Sequence, residues 1–366
     1  MTGKARIIAF YLPQFHPIPE NDEWWGKGFT EWTNVGKAKP LFRGHYQPRV
    51  PADLGYYDLR MPEVREQQAE MAKYAGIEGF CYWHYWFGNG RRLLERPFHD
   101  VLVSGKPDYP FCLGWANHTW SRKTWNNGTK KGNEDLLTQL YPGQEDYILH
   151  FKTILPALKD HRYMTIDGRP IFLVYNPCDI PDTKLMFDLW NNLAKDNGFQ
   201  DGMFFIGTRG GHYSDYDNVL TYGYDAVNTN NAIIAQERLD GYFMANIKAK
   251  LSHLFPSMFP KKFEYSAIMD NWFTDYDKQL NVFPSIIPNY DRSPRGGKTA
   301  LIYHNSTPEK FKKHVMDAIE IVKDKPFQHK IIFLRAWNEW GEGSYMEPDL
   351  RFGRGYIDAL REVVTN

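Results

Sequence analysis

Eight apolar runs recur along the chain, at 6–11, 79–83, 111–116, 170–175, 203–208, 226–229, 283–288 and 331–336. Each is continuous rather than alternating, the pattern of strands covered on both faces and therefore parallel. Helical patterns lie between them. One spans 61–75 and stops at Gly76; others span 145–159 and 182–197, the second closing at Gly198. Thr307 and Pro308 supply an N-cap and a first-turn proline for a helix to about 323, and 355–364 is a closing helix. Eight strands alternating with helices predict an α/β fold of the (β/α)8 TIM-barrel type. The 366 residues suit one large barrel. No linker or repeat divides them, so 1–366 reads as a single domain. Its decorations are a long loop at 12–57, after the first strand at the barrel mouth, and an irregular insertion at 231–282. A doubly wound dinucleotide-binding sheet is the runner-up, but no Gly-x-Gly-x-x-Gly follows any strand.

Composition narrows the function. The formal net charge is zero, so no broad basic field points to nucleic acid. No apolar run is long enough to span a membrane, and no signal-peptide core precedes the first strand. The expected location is cytoplasmic, or periplasmic if a leader has been removed. Cys81, Cys112 and Cys178 form no metal or redox pair, and the first two read as buried thiols. The histidines are scattered, without His-Glu-x-x-His, and Asp179 and Asp182 make no calcium loop, so neither metal nor cofactor is expected. Three glycosylation sequons, at 117–119, 127–129 and 305–307, matter only in a eukaryotic secretory pathway. Aromatic residues make up 16% of the chain, and many lie in polar segments, as at Asp22, Glu23, Trp24 and Trp25. Such rings beside Asn, His and Asp suit an oligo- or polysaccharide partner, which presents an apolar C–H face and a rim of hydroxyls. Nothing indicates the oligomeric state.

In a barrel, functional groups gather at the C-terminal ends of the strands. The last run turns polar within a few residues and brings Glu339 and Glu342 together among Trp337, Asn338 and Trp340. Paired carboxylates flanked by indole rings are what glycosidic-bond chemistry needs. Two glutamates three apart cannot face one way on a continuous strand, so Gly341 and Gly343 predict that the strand has ended in a tight turn. The other candidate sugar-binding residues are His16, Glu31 and Trp32 in the long first loop. They continue with Trp83, His84 and Tyr85 at the second strand end, Trp115, Asn117 and His118 at the third, Tyr175 at the fourth, Arg209 at the fifth and Asn228 at the sixth. Along the second strand, alternation points Tyr82, His84 and Trp86 one way and Trp83, Tyr85 and Phe87 the other; either set can line the pocket.

Five motifs carry a family likeness: YLPQFHP at 11–17, NDEWWG at 21–26, GFTEWTN at 28–34, GFCYWHYW at 79–86 and AWNEWGEG at 336–343. Together they resemble the WbsX family, described as glycosyltransferase WbsX-like or glycoside hydrolase family 99-like. The resemblance runs from residue 6 to about 350. It implies a (β/α)8 barrel, a setting in bacterial surface-polysaccharide loci, and kinship with family 99 endo-α-mannosidases. It also implies separate roles for the glutamates. Glu339 would deprotonate a substrate 2-hydroxyl to give a 1,2-anhydro sugar, and Glu342 would act as acid and then base, with retention.

Three functions fit these residues. The leading expectation is a retaining glycoside hydrolase acting on a bacterial or host polysaccharide. The second is a glycosyltransferase of O-antigen or capsule biosynthesis. Asp215-Tyr216-Asp217, after the fifth run, is the nearest approach to a transferase Asp-x-Asp. The third is a non-catalytic carbohydrate-binding barrel, which would not require both glutamates.

Overall fold

The computed structural model describes residues 4–122, 134–254 and 261–365; the sequon at 127–129 lies outside them. Eight parallel strands form one sheet that closes on itself. They are β1 (Arg6–Tyr11), β2 (Gly79–Trp86), β3 (Phe111–Trp115), β4 (Arg169–Val174), β5 (Phe204–Gly210), β6 (Ala226–Asn230), β7 (in two segments, Val282–Phe283 and Ser285–Ile286) and β8 (Ile331–Leu334). Neighbours in sequence are neighbours in the sheet, and β1 pairs with β8. Closure runs through β7: its first segment pairs with β6 and its second with β8. Pro284 lacks an N–H and so divides the strand, but its carbonyl accepts from Phe333 N at 2.9 Å. Asn228 spans the break, donating to Phe283 O and Ser285 Oγ at 2.9 Å each. The fold is the expected TIM-barrel type.

The strand residues of β1, β3 and β8 are buried without exception, which explains their unbroken apolar runs. Each large apolar side chain so buried contributes about 1.5–3 kcal/mol. The outer helices include Pro62–Ala75, Gln144–Leu158, Thr183–Asp196, Pro308–Val322 and Gly355–Val364. Asp182 caps Thr183–Asp196 by accepting from Leu185 N at 2.8 Å, and Thr307 caps Pro308–Val322 through Lys310 N.

The long first loop carries two short helices, Pro19–Trp25 and Glu31–Lys37. Among its described residues, segment 231–282 is largely helical, with Ala232–Asp240, Tyr242–Leu254 and Tyr265–Met269. Its short strand Lys262–Glu264 pairs with Ile302–His304 in a small separate sheet. Cys81 and Cys112 are buried free thiols; Cys178 is also free. No helix among the described residues is long and apolar enough to cross a membrane.

Candidate active site

β8 ends at Leu334, and the chain turns at the barrel mouth. Asn338–Glu339 pairs antiparallel with Ser344–Tyr345, and Trp340–Glu342 forms a 3-10 turn between them. Both glycines are steric requirements. Gly343 adopts φ +55°, and a β-carbon there would press on Asp291 Cβ at 2.9 Å. A β-carbon at Gly341 would overlap the Glu31 carboxylate. Asn338 ties the turn to the end of β1, accepting from Leu12 N at 2.8 Å and donating to Leu12 O at 3.0 Å. Trp340 stacks on Tyr345 at 3.8 Å, and Trp32 of the long loop packs against its ring at 5.4 Å. Trp340 Nε1 donates to Glu347 at 2.6 Å, so the turn is held from beneath.

Glu339 and Glu342 face a cavity of about 390 Å³ whose walls include Gln14, Trp83, Tyr85, His118, Trp120 and Tyr175. Trp83 stacks on Phe10 at 4.7 Å and meets Tyr175 edge-on at 5.5 Å, giving one wall a rigid aromatic surface. Gln14 Nε2 is buried there with no hydrogen-bond partner among the described residues. Such an orphan donor suits a ligand oxygen.

Arginines complete the cavity. Arg295 grips Glu31 through two hydrogen bonds, Nε to Oε1 at 3.0 Å and Nη2 to Oε2 at 2.9 Å. Its Nη1 then reaches both members of the pair, Glu339 at 3.2 Å and Glu342 at 2.8 Å. Arg292 donates from Nε to Glu342 at 3.2 Å, and Arg335 lines the cavity beside them. These contacts separate the two glutamates electrostatically. Burial, and then the charge of Glu342, raise Glu339 to about 7, and Arg295 and Arg335 offset only part of this. Burial acts on Glu342 too, but there Arg295, Arg292 and Arg335 outweigh it and hold the carboxyl below the ordinary glutamate value. At neutral pH Glu339 therefore carries much of the proton and Glu342 is ionised, a division that suits acid and base roles. It runs opposite to the order of roles that the family resemblance implies.

Of the sequence candidates, the cavity brings together Glu339, Glu342, Trp83, Tyr85, His118 and Tyr175. The other face of β2 turns away: His84 meets His150 at 2.9 Å, and Trp86 stacks on the same ring at 4.5 Å. Trp115 is buried, its Nε1 engaged by Trp86 O. Asn117 lies behind the wall, donating to Tyr141 Oη and Asn176 O and accepting from Asn176 N. Glu31, Trp32, Asn338 and Trp340 support the turn rather than line the cavity. His16 is buried against Pro13 O, Trp337 is wholly buried, and Asn228 is engaged at the β7 break. Arg209 pairs with Asp215, outside the cavity. That contact also engages the Asp-x-Asp sequence, in the helix Tyr213–Thr221.

Arg292, Arg295, Arg335 and Gln14 are cavity residues absent from the sequence candidates. Arg335 and Gln14 had a legible signal, since Arg335 is the one charged residue of the last run and Gln14 lies three residues past the first. Arg295, in the short helix Ser293–Gly296, had none. Among the described residues no group of three or more His, Cys, Asp or Glu is placed to hold a metal ion.

Comparison with known proteins places this geometry in a family. The chain is 34% identical over 374 residues to the protein described as uncharacterized protein WxcX from Xanthomonas campestris pv. campestris (strain B100), an alignment covering all of this chain and 50% of that one. A second strain of the same pathovar, ATCC 33913, carries a relative at the same identity and coverage. The chain thus spans about half the length of the curated relatives it matches. Among solved structures, a glycoside hydrolase-like protein superposes with a TM-score of 0.63 at 15% identity, covering 98% of this chain and 93% of that one. The GH99 endo-α-mannosidase from Bacteroides thetaiotaomicron superposes at 0.54 with 16% identity, covering 98% and 95%. At such identities these two establish the fold alone. The family model described as Glycosyltransferase WbsX matches residues 7–360, nearly the whole barrel and its mouth, and the chain belongs to that family.

Proposed function

We propose that the protein is a carbohydrate-active enzyme that moves a glycosyl group between oxygen atoms at the Glu339–Glu342 pair, its acceptor being a sugar hydroxyl in the assembly of a bacterial surface polysaccharide. The observation that carries this reading is the sharing of Arg295 Nη1 by Glu339, at 3.2 Å, and Glu342, at 2.8 Å. Two oxygens that share one N–H group are within about 6 Å of each other, closer than the roughly 6.5–9.5 Å of an inverting pair, and this favours retention. The family description supports transfer. The names of the fold neighbours, a glycoside hydrolase-like protein and an endo-α-mannosidase, support chemistry at a glycosidic bond.

In this reading Glu339 gives its proton to the departing glycosidic oxygen as the bond to C1 breaks. Glu342, ionised, faces the positive charge growing at C1. It acts on C1 directly, forming a glycosyl ester, or takes the proton of the 2-hydroxyl, whose oxygen then closes on C1 as a 1,2-anhydro sugar. Glu339, now a carboxylate, takes the proton of the incoming hydroxyl, whose oxygen forms the new bond to C1. Displacement of the ester, or return of the proton from Glu342 to the 2-oxygen, restores the pair. The aromatic wall of Trp83 and Tyr175 would hold the sugar ring, and Gln14 would donate to it.

Hydrolysis is the second reading, with water in place of the acceptor, and the same carboxylate pair favours it. Incubation with surface polysaccharides and a labelled acceptor oligosaccharide, in oxygen-18 water, separates the two. Acceptor-bearing product supports transfer, and oxygen-18 at new reducing ends with no acceptor product supports hydrolysis. Turnover unchanged in both Glu339→Gln and Glu342→Gln would remove the reading altogether.

A further inference from the structure

Three guanidiniums surround the carboxylate pair, and two of them are held by hydrogen bonds. Arg295 is held by Glu31 on one side and the pair on the other, and Arg292 donates to Glu342. Arg335 differs. Its backbone is pinned, N donating to Ile286 O at 2.9 Å and O accepting from Ser344 Oγ at 2.5 Å. Its side chain lines the cavity, where its charge acts on Glu339 and Glu342, but among the described residues no hydrogen bond or ion pair of its guanidinium is found. A fixed stem with a planar fork whose donors are not taken up by hydrogen bonds matches the geometry of a carboxylate, sulfate or phosphate.

The charge around it points the same way. Arg292, Arg295 and Arg335 face Glu31, Glu339 and Glu342, a balance of three against three. The acid form of the pair carries one proton, which leaves one positive charge in excess. Burial raises Tyr175, Tyr290 and Tyr303, which adjoin Arg335, so none of them supplies a compensating anion. Burial lowers His118, which faces the cavity as a neutral ring.

We propose that the glycosyl unit seated in this cavity carries an anionic group and that Arg335 recognises it. The group is a carboxylate, sulfate ester or phosphoester on the sugar, or the diphosphate of an activated donor. The proposal rests on the cavity being the active site. It predicts a preference for acidic over neutral glycans, exerted through one side chain that carries no proton in the reaction.

Binding without turnover tests it. Glucuronate, sulfate, phosphate and uridine diphosphate are titrated into the protein at pH 6 and pH 8.5, with tryptophan fluorescence as readout, since Trp83 and Trp120 line the cavity. At least one of these anions is expected to bind at pH 6, tenfold or more weaker at pH 8.5, where Glu339 has lost its proton. Arg335→Gln should abolish that binding, and Arg351→Gln, on a loop outside the cavity, should leave it intact. Tightest binding of glucuronate, sulfate or phosphate assigns the anion to the sugar, and tightest binding of uridine diphosphate assigns it to an activated donor. Absence of binding to the unaltered protein, or equal binding by Arg335→Gln, overturns the proposal. Glu339→Gln keeps a neutral group at that position and should still bind anion while losing turnover of glycosides with poor leaving groups. Anion binding with unimpaired turnover in the glutamate variants would defeat the proposed function alone. Impaired turnover without anion binding would defeat this inference alone.

Discussion

Two glutamates in this protein, Glu339 and Glu347, are both raised to about 7, yet their surroundings differ in kind. Glu347 is 3% exposed and lies beneath the turn, with all its partners neutral. It accepts from Trp340 Nε1 at 2.6 Å, Gln68 Nε2 at 2.6 Å and Tyr57 Oη at 2.9 Å. Burial raises it and those hydrogen bonds offset only part of the rise. Glu339 is 22% exposed on the cavity side. Its proton is held by burial together with a second carboxylate and is adjusted by arginines. A shifted pKa therefore does not by itself mark chemistry. Burial is the largest cause in both, and what separates them is the second carboxylate and the arginines at Glu339, on an open cavity, against neutral donors alone at Glu347.

The largest expected effect falls on the ionised partner. Glu342→Gln should lower kcat/KM by 10³-fold or more for every glycoside, whatever its leaving group, because the group facing C1 is lost. Equal rates for activated aryl glycosides in this variant would contradict its role. Glu339→Gln comes next. Loss of a general acid costs typically about 10²–10⁴-fold, but here only for poor leaving groups, and activated aryl glycosides should be largely spared. The two variants together decide the order of roles, since the family resemblance implies the opposite pattern.

Glu347→Gln should leave the chemistry in place and weaken the scaffold. Trp340, Tyr57 and Gln68 would compete for one amide oxygen, a loss of about 1–3 kcal/mol, read as a lower Tm. Its pH signature has a definite sign. The folded pKa lies above that of a free glutamate, so the stabilising contribution is complete below about 4.5 and is lost as pH rises through about 7. The substitution should flatten that decline. An unchanged pH dependence of Tm would remove Glu347 from this account. The smallest effect is expected at Arg209, whose exposed pair with Asp215 lies away from the cavity. Arg209→Ala should change stability by no more than about 1 kcal/mol and leave kcat/KM unaltered.

The barrel was legible because parallel strands buried on both faces write themselves as unbroken apolar runs. β7 departs from its run at 283–288, and Pro284 is the reason: it splits the strand into two short pieces, Val282–Phe283 and Ser285–Ile286, which Asn228 bridges. The glutamate pair was legible because two carboxylates beside indoles have few structural excuses at the end of a buried run. The face of β2 was not. Alternation separates Trp83 and Tyr85 from His84 and Trp86, but the choice depends on His150, in a helix more than sixty residues away. Arg295 was hidden for the same reason, since its partner Glu31 is 264 residues distant. Contacts between remote segments leave no local pattern, and in this site they set the charge of both glutamates.

The most direct test needs no substrate. Carbon-13 NMR of glutamate-labelled protein follows each carboxyl through a pH titration, with Glu339→Gln and Glu342→Gln assigning the signals. The account predicts that the signal lost in Glu339→Gln titrates near 7, and that the signal lost in Glu342→Gln titrates below the ordinary glutamate value. In Glu342→Gln, where the neighbouring charge is gone, the Glu339 signal should move to lower pH. A Glu339 carboxyl already ionised at pH 5, beside a Glu342 that still holds its proton at pH 7, would contradict the division of roles on which the account stands.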